Sequence, residues 1–262
     1  MSNSFNNKKA RDVFPALKNP PIQETALGIT FDMPHLAQHD IEDIVMKIDG
    51  GFKRFAVIEA RSFSIDALSG EARGGKQWAG ARYKKGENIF LAIQNIFQSK
   101  ESTGVIFSFN ITPPYVSWEM FTSELRRTLN SFVEQTGAMK ISRIGVRTID
   151  RLNVPSKPVP VNAIITTVLP DIHGLTGGEI HDFYLRDTVY YDQYELFVTT
   201  VRSTKPTGVK TPPEIILDTD VFSSKSAMFS EEWIDEILHR IHVVRDTVFF
   251  GTVAERCLEA YK

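Results

Sequence analysis

Apolar and polar positions alternate from Val105 to Ile111. Val105, Phe107, Phe109 and Ile111 take one parity, and Ile106, Ser108 and Asn110 the other. A period of two in a run rich in β-branched and aromatic residues predicts a strand. Pro113-Pro114 stops it. Ser117 is placed to cap a helix, an amphipathic stretch follows to about Thr136, and Gly137 supplies the stop. Alternation resumes from Lys140 to Val154 and ends at Pro155. This strand, helix, strand segment is the centre of the predicted fold.

The same reasoning assigns the remaining elements. Asn19-Pro20-Pro21-Ile22 forces an extended entry into a strand, Glu24 to Asp32. Asp40 is placed to cap a helix from Ile41 to Ile48, ended by Gly50-Gly51. Phe55–Ile65 and Asn88–Gln98 read as strands. Between them, Gly70, Gly74, Gly75, Gly80 and Gly86 among many charges predict a long loop over 66–87. Pro155, Pro158 and Pro160 form a connector. Beyond it the pattern predicts a helix from Val161 to Leu169, a Tyr-rich stretch from Ile180 to Tyr191, and strands Glu195–Ser203 and Glu214–Val221 about a Thr207-Gly208 turn. Ser230 then caps a helix from Glu231 to about Phe250, broken by Gly251, and a short helix closes the chain.

These elements predict an α+β fold. Residues 1–19 form an N-terminal arm, and two sequential α+β halves follow, 20–155 and 156–262. The sheet should be largely antiparallel, with long helices on one face. The halves echo each other: each places a tryptophan beside a glutamate, Trp118-Glu119 and Glu232-Trp233, at the start of its long helix, which raises a structural repeat.

Composition narrows the function classes. The chain of 262 residues is 42% hydrophobic and 24% charged, which suits a globular protein. A net charge of −2 gives no global attraction to nucleic acid, so any such binding needs a local patch. Cys257 is the single cysteine, which excludes an intrachain disulfide and a Cys-rich zinc site. The polar start has no apolar signal core, and no long apolar run predicts a membrane span. The simplest compartment is the cytoplasm.

Candidate chemistry is sparse. Gly70 to Lys76 has the glycine and lysine spacing of a phosphate-cradling loop, but Gln77 stands where the magnesium-binding hydroxyl belongs. Asp235, His239, His242 and Asp246 share a stripe on the last long helix. Their ~16 Å span is too long for one ion, so Asp235, His239 and His242 are weak metal candidates against a solvated face. Asp218 and Asp220, two apart on a strand, are a weak carboxylate pair. On Lys140–Val154, Ile144, Val146, Leu152 and Val154 share one parity, and Arg143, Arg147 and Arg151 share the other. Arginines ~13 Å apart suit an extended anion, a nucleic-acid backbone or an acidic partner surface. The alternative is a solvated face paired with neighbouring acids. Trp78, Tyr190, Tyr191 and Tyr194 are candidate interface aromatics. No cofactor is implied.

Several of these residues carry a family likeness. Asn19-Pro20-Pro21-Ile22 with Glu24, Pro114-Tyr115 followed by Ser117-Trp118-Glu119 and Phe121, and Arg143-Ile144-Gly145-Val146-Arg147 with Arg151-Leu152 form one set. Leu238-His239, Phe249-Phe250 and Thr252 to Glu255 extend it. In these the chain resembles a sporadically distributed bacterial family without an assigned activity. The family tends to have Tyr and Asn where this chain has Thr148 and Asp150. The resemblance implies no catalytic residues. Patchy distribution suits antiviral-defence or toxin-related genes.

The expected function is therefore a non-enzymatic adaptor or sensor subunit of a bacterial conflict system, with a protein partner encoded nearby. The alternatives are a nucleic-acid-binding protein using the arginine face and basic residues 8–11, and a metal-dependent hydrolase drawing on Asp218, Asp220, His239 and His242. Self-association stays open.

Overall fold

The computed structural model describes residues 14–15, 17–65, 72–97, 103–114, 117–152, 164–166, 183–205 and 214–262. The basic residues at 8–11, the proline connector, Gly70, Tyr115 and the Thr207-Gly208 turn lie outside them. The fold is α+β, and the strand pairings are antiparallel.

The chain divides into two compact units. One comprises Thr25–Gly145 with Ser223–Glu231; the other comprises Met1–Glu24, Val146–Phe222 and Glu232–Lys262. The division follows the chain less simply than two sequential halves parted at 155, because it falls within a single strand, between Gly145 and Val146.

The Thr25–Gly145 unit holds β1 (Ile22–Phe31), α1 (Gln38–Ile48), β2 (Lys53–Ile65), β3 (Ala72–Lys85), β4 (Ile89–Phe97), β5 (Thr103–Ile111), α2 (Trp118–Thr136) and the start of β6 (Lys140–Leu152). Its strand order is β2-β3-β4-β5-β1-β6. Alternation decides the faces. Leu27, Ile29, Phe31, Leu91, Ile93, Phe107 and Phe109 are buried, while Ala26, Gly28, Phe90, Ala92, Ser108 and Asn110 on the other face stay part-exposed. The buried face packs under α2 through ring contacts, Phe107 to Phe132 at 5.1 Å and Phe109 to Phe121 at 5.9 Å. The caps of α2 follow the sequence reading. Ser117 Oγ accepts the Met120 N–H at 3.1 Å, and Gly137 takes the left-handed conformation (φ 66°) that glycine adopts without strain. Asp40 is not the cap of α1: it sits inside the first turn and its carboxylate accepts the Ala37 N–H at 3.1 Å.

The predicted loop over 66–87 is corrected in the structure. Residues 72–85 form β3, paired to β2 from Lys53↔Lys84 to Ile65↔Ala72. Gly74, Gly75 and Gly80 are strand positions here, while Gly86 keeps its turn, with φ 62°. At Gly80 a Cβ would lie 2.1 Å from the Ile93 carbonyl oxygen, so the close crossing of β3 and β4 admits only glycine. The phosphate-loop reading falls with the loop, since Lys76 lies mid-strand and pairs with Glu59 at 3.2 Å.

The other unit holds the end of β6 with β7 (Tyr184–Tyr191), β8 (Leu196–Lys205), β9 (Glu214–Ser223), α3 (Glu231–Thr252) and α4 (Glu255–Leu258), in the order β6-β9-β8-β7. A two-residue strand, β10 (Ala227–Met228), pairs with the first residues of β6 in the Thr25–Gly145 unit. Leu152, Ile215 and Leu217 build a core with Ile165, Val253, Cys257 and Leu258. Of the predicted helix Val161–Leu169, only 164–166 are described, and there Ile165 bridges Val253. Gly251 does not break α3, which continues to Thr252. Thr166 caps that end, its Oγ1 donating to the Gly251 carbonyl at 2.7 Å.

Candidate functional site

The inward parity of β6 runs Ile144, Val146, Thr148, Asp150 and Leu152, all buried. Arg147 and Arg151 take the outward parity. On that side β9 supplies Glu214, Asp218 and Asp220, because Ile215, Leu217, Thr219 and Val221 turn inward. Arg147 donates from Nε and Nη2 to both oxygens of Asp218, at 2.8 and 2.6 Å. This two-pronged geometry raises the Arg147 pKa, with the Asp218 hydrogen bonds as the largest cause. Arg151 pairs with Glu214 through its Nε. The two pairs run in opposite order along their strands, as antiparallel neighbours require. Arg143 lies in the other unit, where its Nη1 is 3.9 Å from the position a Cβ would take on Gly28.

The hydrolase residues are not brought together. Asp218 and Asp220 lie on the outward side of β9, with Asp218 held by Arg147. His239 and Asp235 are exposed on α3. His242 and Asp246 are largely buried and pair at 3.3 Å. The stripe from Asp235 to Asp246 is thus solvated only over its first turn. Among the described residues, no three His, Cys, Asp or Glu side chains are grouped to hold a metal ion.

A buried ionic cluster was not legible in the sequence. Asp150 of β6 is 3% exposed, and burial, the largest cause, pushes its carboxyl up to about 7. Arg245 of α3 opposes that shift electrostatically, while Asp246 and Asp218 reinforce it. Arg245 is itself buried and donates to Asp246 at 3.0 and 2.6 Å. Above Asp150, the buried hydroxyl of Thr148 makes no hydrogen bond. The signal that could have found this cluster is an acid at an inward-facing strand position.

The aromatic candidates separate by position. β7 ends its unit's strand order and pairs, among the described residues, with β8. On it Tyr184, Val189, Tyr190 and Tyr191 are exposed, Tyr184 by 67% and Tyr190 by 49%. Tyr190 rests on Phe197 of β8, ring centroids 4.7 Å apart. Tyr194 closes a short 3-10 turn, and its carbonyl accepts from Arg240 at 3.1 Å. Trp78 is part-buried in β3 opposite Glu59, its indole N–H without a hydrogen-bond partner. A cleft of 280 Å³ lies between the β7–β8 pair and the end of α3, lined by Asp187, Tyr191, Thr200, Arg202 and Thr252 among others.

No known family profile and no curated protein matches the chain. Among solved structures, the crystal structure of DynU16, a protein in the dynemicin biosynthetic locus, is similar at 8% identity over 92% of this chain and 99% of that one. The TM-score is 0.23, too low to carry an argument.

Proposed function

We propose that this protein is a non-enzymatic binding module, an adaptor or sensor subunit whose protein partner adds a strand to β7. The observation that carries the reading is the pairing of an edge strand with exposed aromatics. A terminal strand offers a row of backbone donors and acceptors. Strand addition draws affinity from that row and specificity from alternate side chains. Tyr184 and Tyr190 share one side of β7 and supply large anchors at low entropic cost. Assignment to a bacterial conflict system rests on the family likeness of the strand and helix motifs. Under that likeness the partner is the product of an adjacent gene.

Co-expression of the full chain with adjacent gene products, followed by size-exclusion chromatography with light scattering, tests this. The expected result is a stable heterocomplex, lost in Tyr184→Asp/Tyr190→Asp while the thermal midpoint moves by less than about 3 °C. A lone monomer, or a complex indifferent to both substitutions, overturns the reading. A homodimer lost on those substitutions identifies a second copy as the occupant and overturns the adaptor assignment.

A further inference from the structure

The part-exposed face of the Thr25–Gly145 unit has the composition of a ligand platform. Helices α1 and α2 cover its opposite side. At one corner Lys53 and Lys84 stand directly opposite each other on β2 and β3, and Lys84 stands opposite Phe90 on β4. Arg82, exposed, follows Lys84 on the same parity, ~7 Å away along the strand. Like charges placed directly opposite destabilise a strand pair. Among the described residues no carboxylate shares this face along β3, β4 and β5 to relieve them.

The rest of the face fits a flat, anionic ligand with aromatic groups. Phe90 is part-exposed, with the Lys84 ammonium 5.7 Å from its ring centroid and the exposed ring of Phe55 edge-on at 5.8 Å. Beside them a row of minimal side chains, Ala92↔Ser108↔Gly28, crosses three strands. Ala92 and Ser108 let a ligand lie close to the sheet, and the Arg143 guanidinium borders the row at Gly28. Gln94, Ser108 and Asn110 give the face a polar margin, with the Ser108 hydroxyl donating to Asn110 Oδ1 at 3.0 Å. Aromatic rings on which bases stack, combined with cations that follow a backbone, are how proteins hold single strands.

We propose that this face, centred on Lys84 and Phe90 with Lys53, Arg82 and Phe55 around them, binds a single-stranded polynucleotide. The site lies on β2 to β4 rather than on the arginines of β6, and it is independent of the β7 reading. Salt bridges already satisfy the β6–β9 surface, whereas here the cations face an aromatic.

The test is fluorescence anisotropy of the full chain with labelled dT20 and rU20, titrated over salt, with inorganic polyphosphate as competitor. Binding that weakens with salt is expected. Lys84→Gln and Arg82→Gln should each flatten the salt slope by about 0.7. Phe90→Ala should weaken binding about tenfold, and Phe90→Leu, which keeps the apolar bulk, should weaken it comparably. Stronger binding of rU20 than of dT20, or the reverse, assigns the sugar. Absence of binding at low salt, or affinity indifferent to Phe90→Leu with polyphosphate competing equally, overturns the proposal.

Discussion

Two regions of this protein place arginine and lysine on an open sheet face and treat them differently. Between β6 and β9 two arginines meet carboxylates: Arg147 takes both oxygens of Asp218, and Arg151 takes Glu214. Asp218 and Glu214 are themselves shielded, with 17% and 12% of their side chains exposed, so water competes weakly for the pairs. On β3 and β4, by contrast, Lys84 meets Phe90 and Lys53, and Arg82 stands over Ala92. The difference teaches that a stripe of like charge along one strand says little until the neighbouring strand is known. Pairing turns the first stripe into scaffold. An unmatched stripe beside a ring remains available for a ligand.

The largest expected effect comes from removing the platform itself. Gly80→Ala would put a methyl 2.1 Å from the Ile93 carbonyl and 2.8 Å from the Gln94 Cα, both backbone atoms that cannot yield cheaply. A loss of about 3 kcal/mol or more in chemical denaturation is expected, in the range of severe overpacking. Retention of full stability would mean that β3 does not cross β4 as described, and the lysine-aromatic corner would dissolve with it.

The next effect separates a buried acid, Asp150, from a part-exposed one, Asp49. Asp150 holds its proton up to about 7 when folded, against 3.8 unfolded. The folded chain therefore binds more protons between those values, and this group's contribution falls as pH rises from about 4 to 7. Asp49 has the opposite sign. The Lys85 hydrogen bond is the largest cause, helped by the Gly51 N–H and Arg127, and brings it down to about 2, so its contribution is lost as pH falls below 3.8. Asp150→Asn should thus raise stability by roughly 1–3 kcal/mol at pH 8 and by much less at pH 4. Equal effects at both pH values would contradict a carboxyl that titrates near neutrality.

A smaller effect sharpens the contrast of the faces directly. Asp218→Asn with Glu214→Gln strips the acids from Arg147 and Arg151. Stability should fall by about 1–2 kcal/mol. The β6–β9 face would gain two positive charges, so oligonucleotide affinity at low salt should rise a few-fold without dependence on Phe90. Unchanged affinity would show that charge pairing is not what distinguishes the two faces.

Local chemistry made much of the fold legible. Ser117 and Gly137 mark the ends of α2 because caps are decided by adjacent residues. The parity of Ile144, Val146 and Leu152 was equally readable, because alternation is a local consequence of the pleat. The glycines of β3 misled, since Gly80 answers to a carbonyl on β4 and not to its own neighbours. Arg147 was seen as a cation on a face, but its partner Asp218 lies 71 residues away. The Lys84–Phe90 corner depends on register between strands, which no local pattern encodes. Asp150 interrupts a buried parity with an acid, and the Arg245 charge that opposes its upward shift comes from a helix distant in sequence.

Ultraviolet cross-linking of rU20 to the full chain, followed by mass spectrometry of the attached peptides, tests the central contrast most directly. The account predicts attachment to the peptide of β4 containing Phe90, abolished in Phe90→Leu. Attachment to β6 around Arg147 and Arg151, with β4 unmodified, would contradict it.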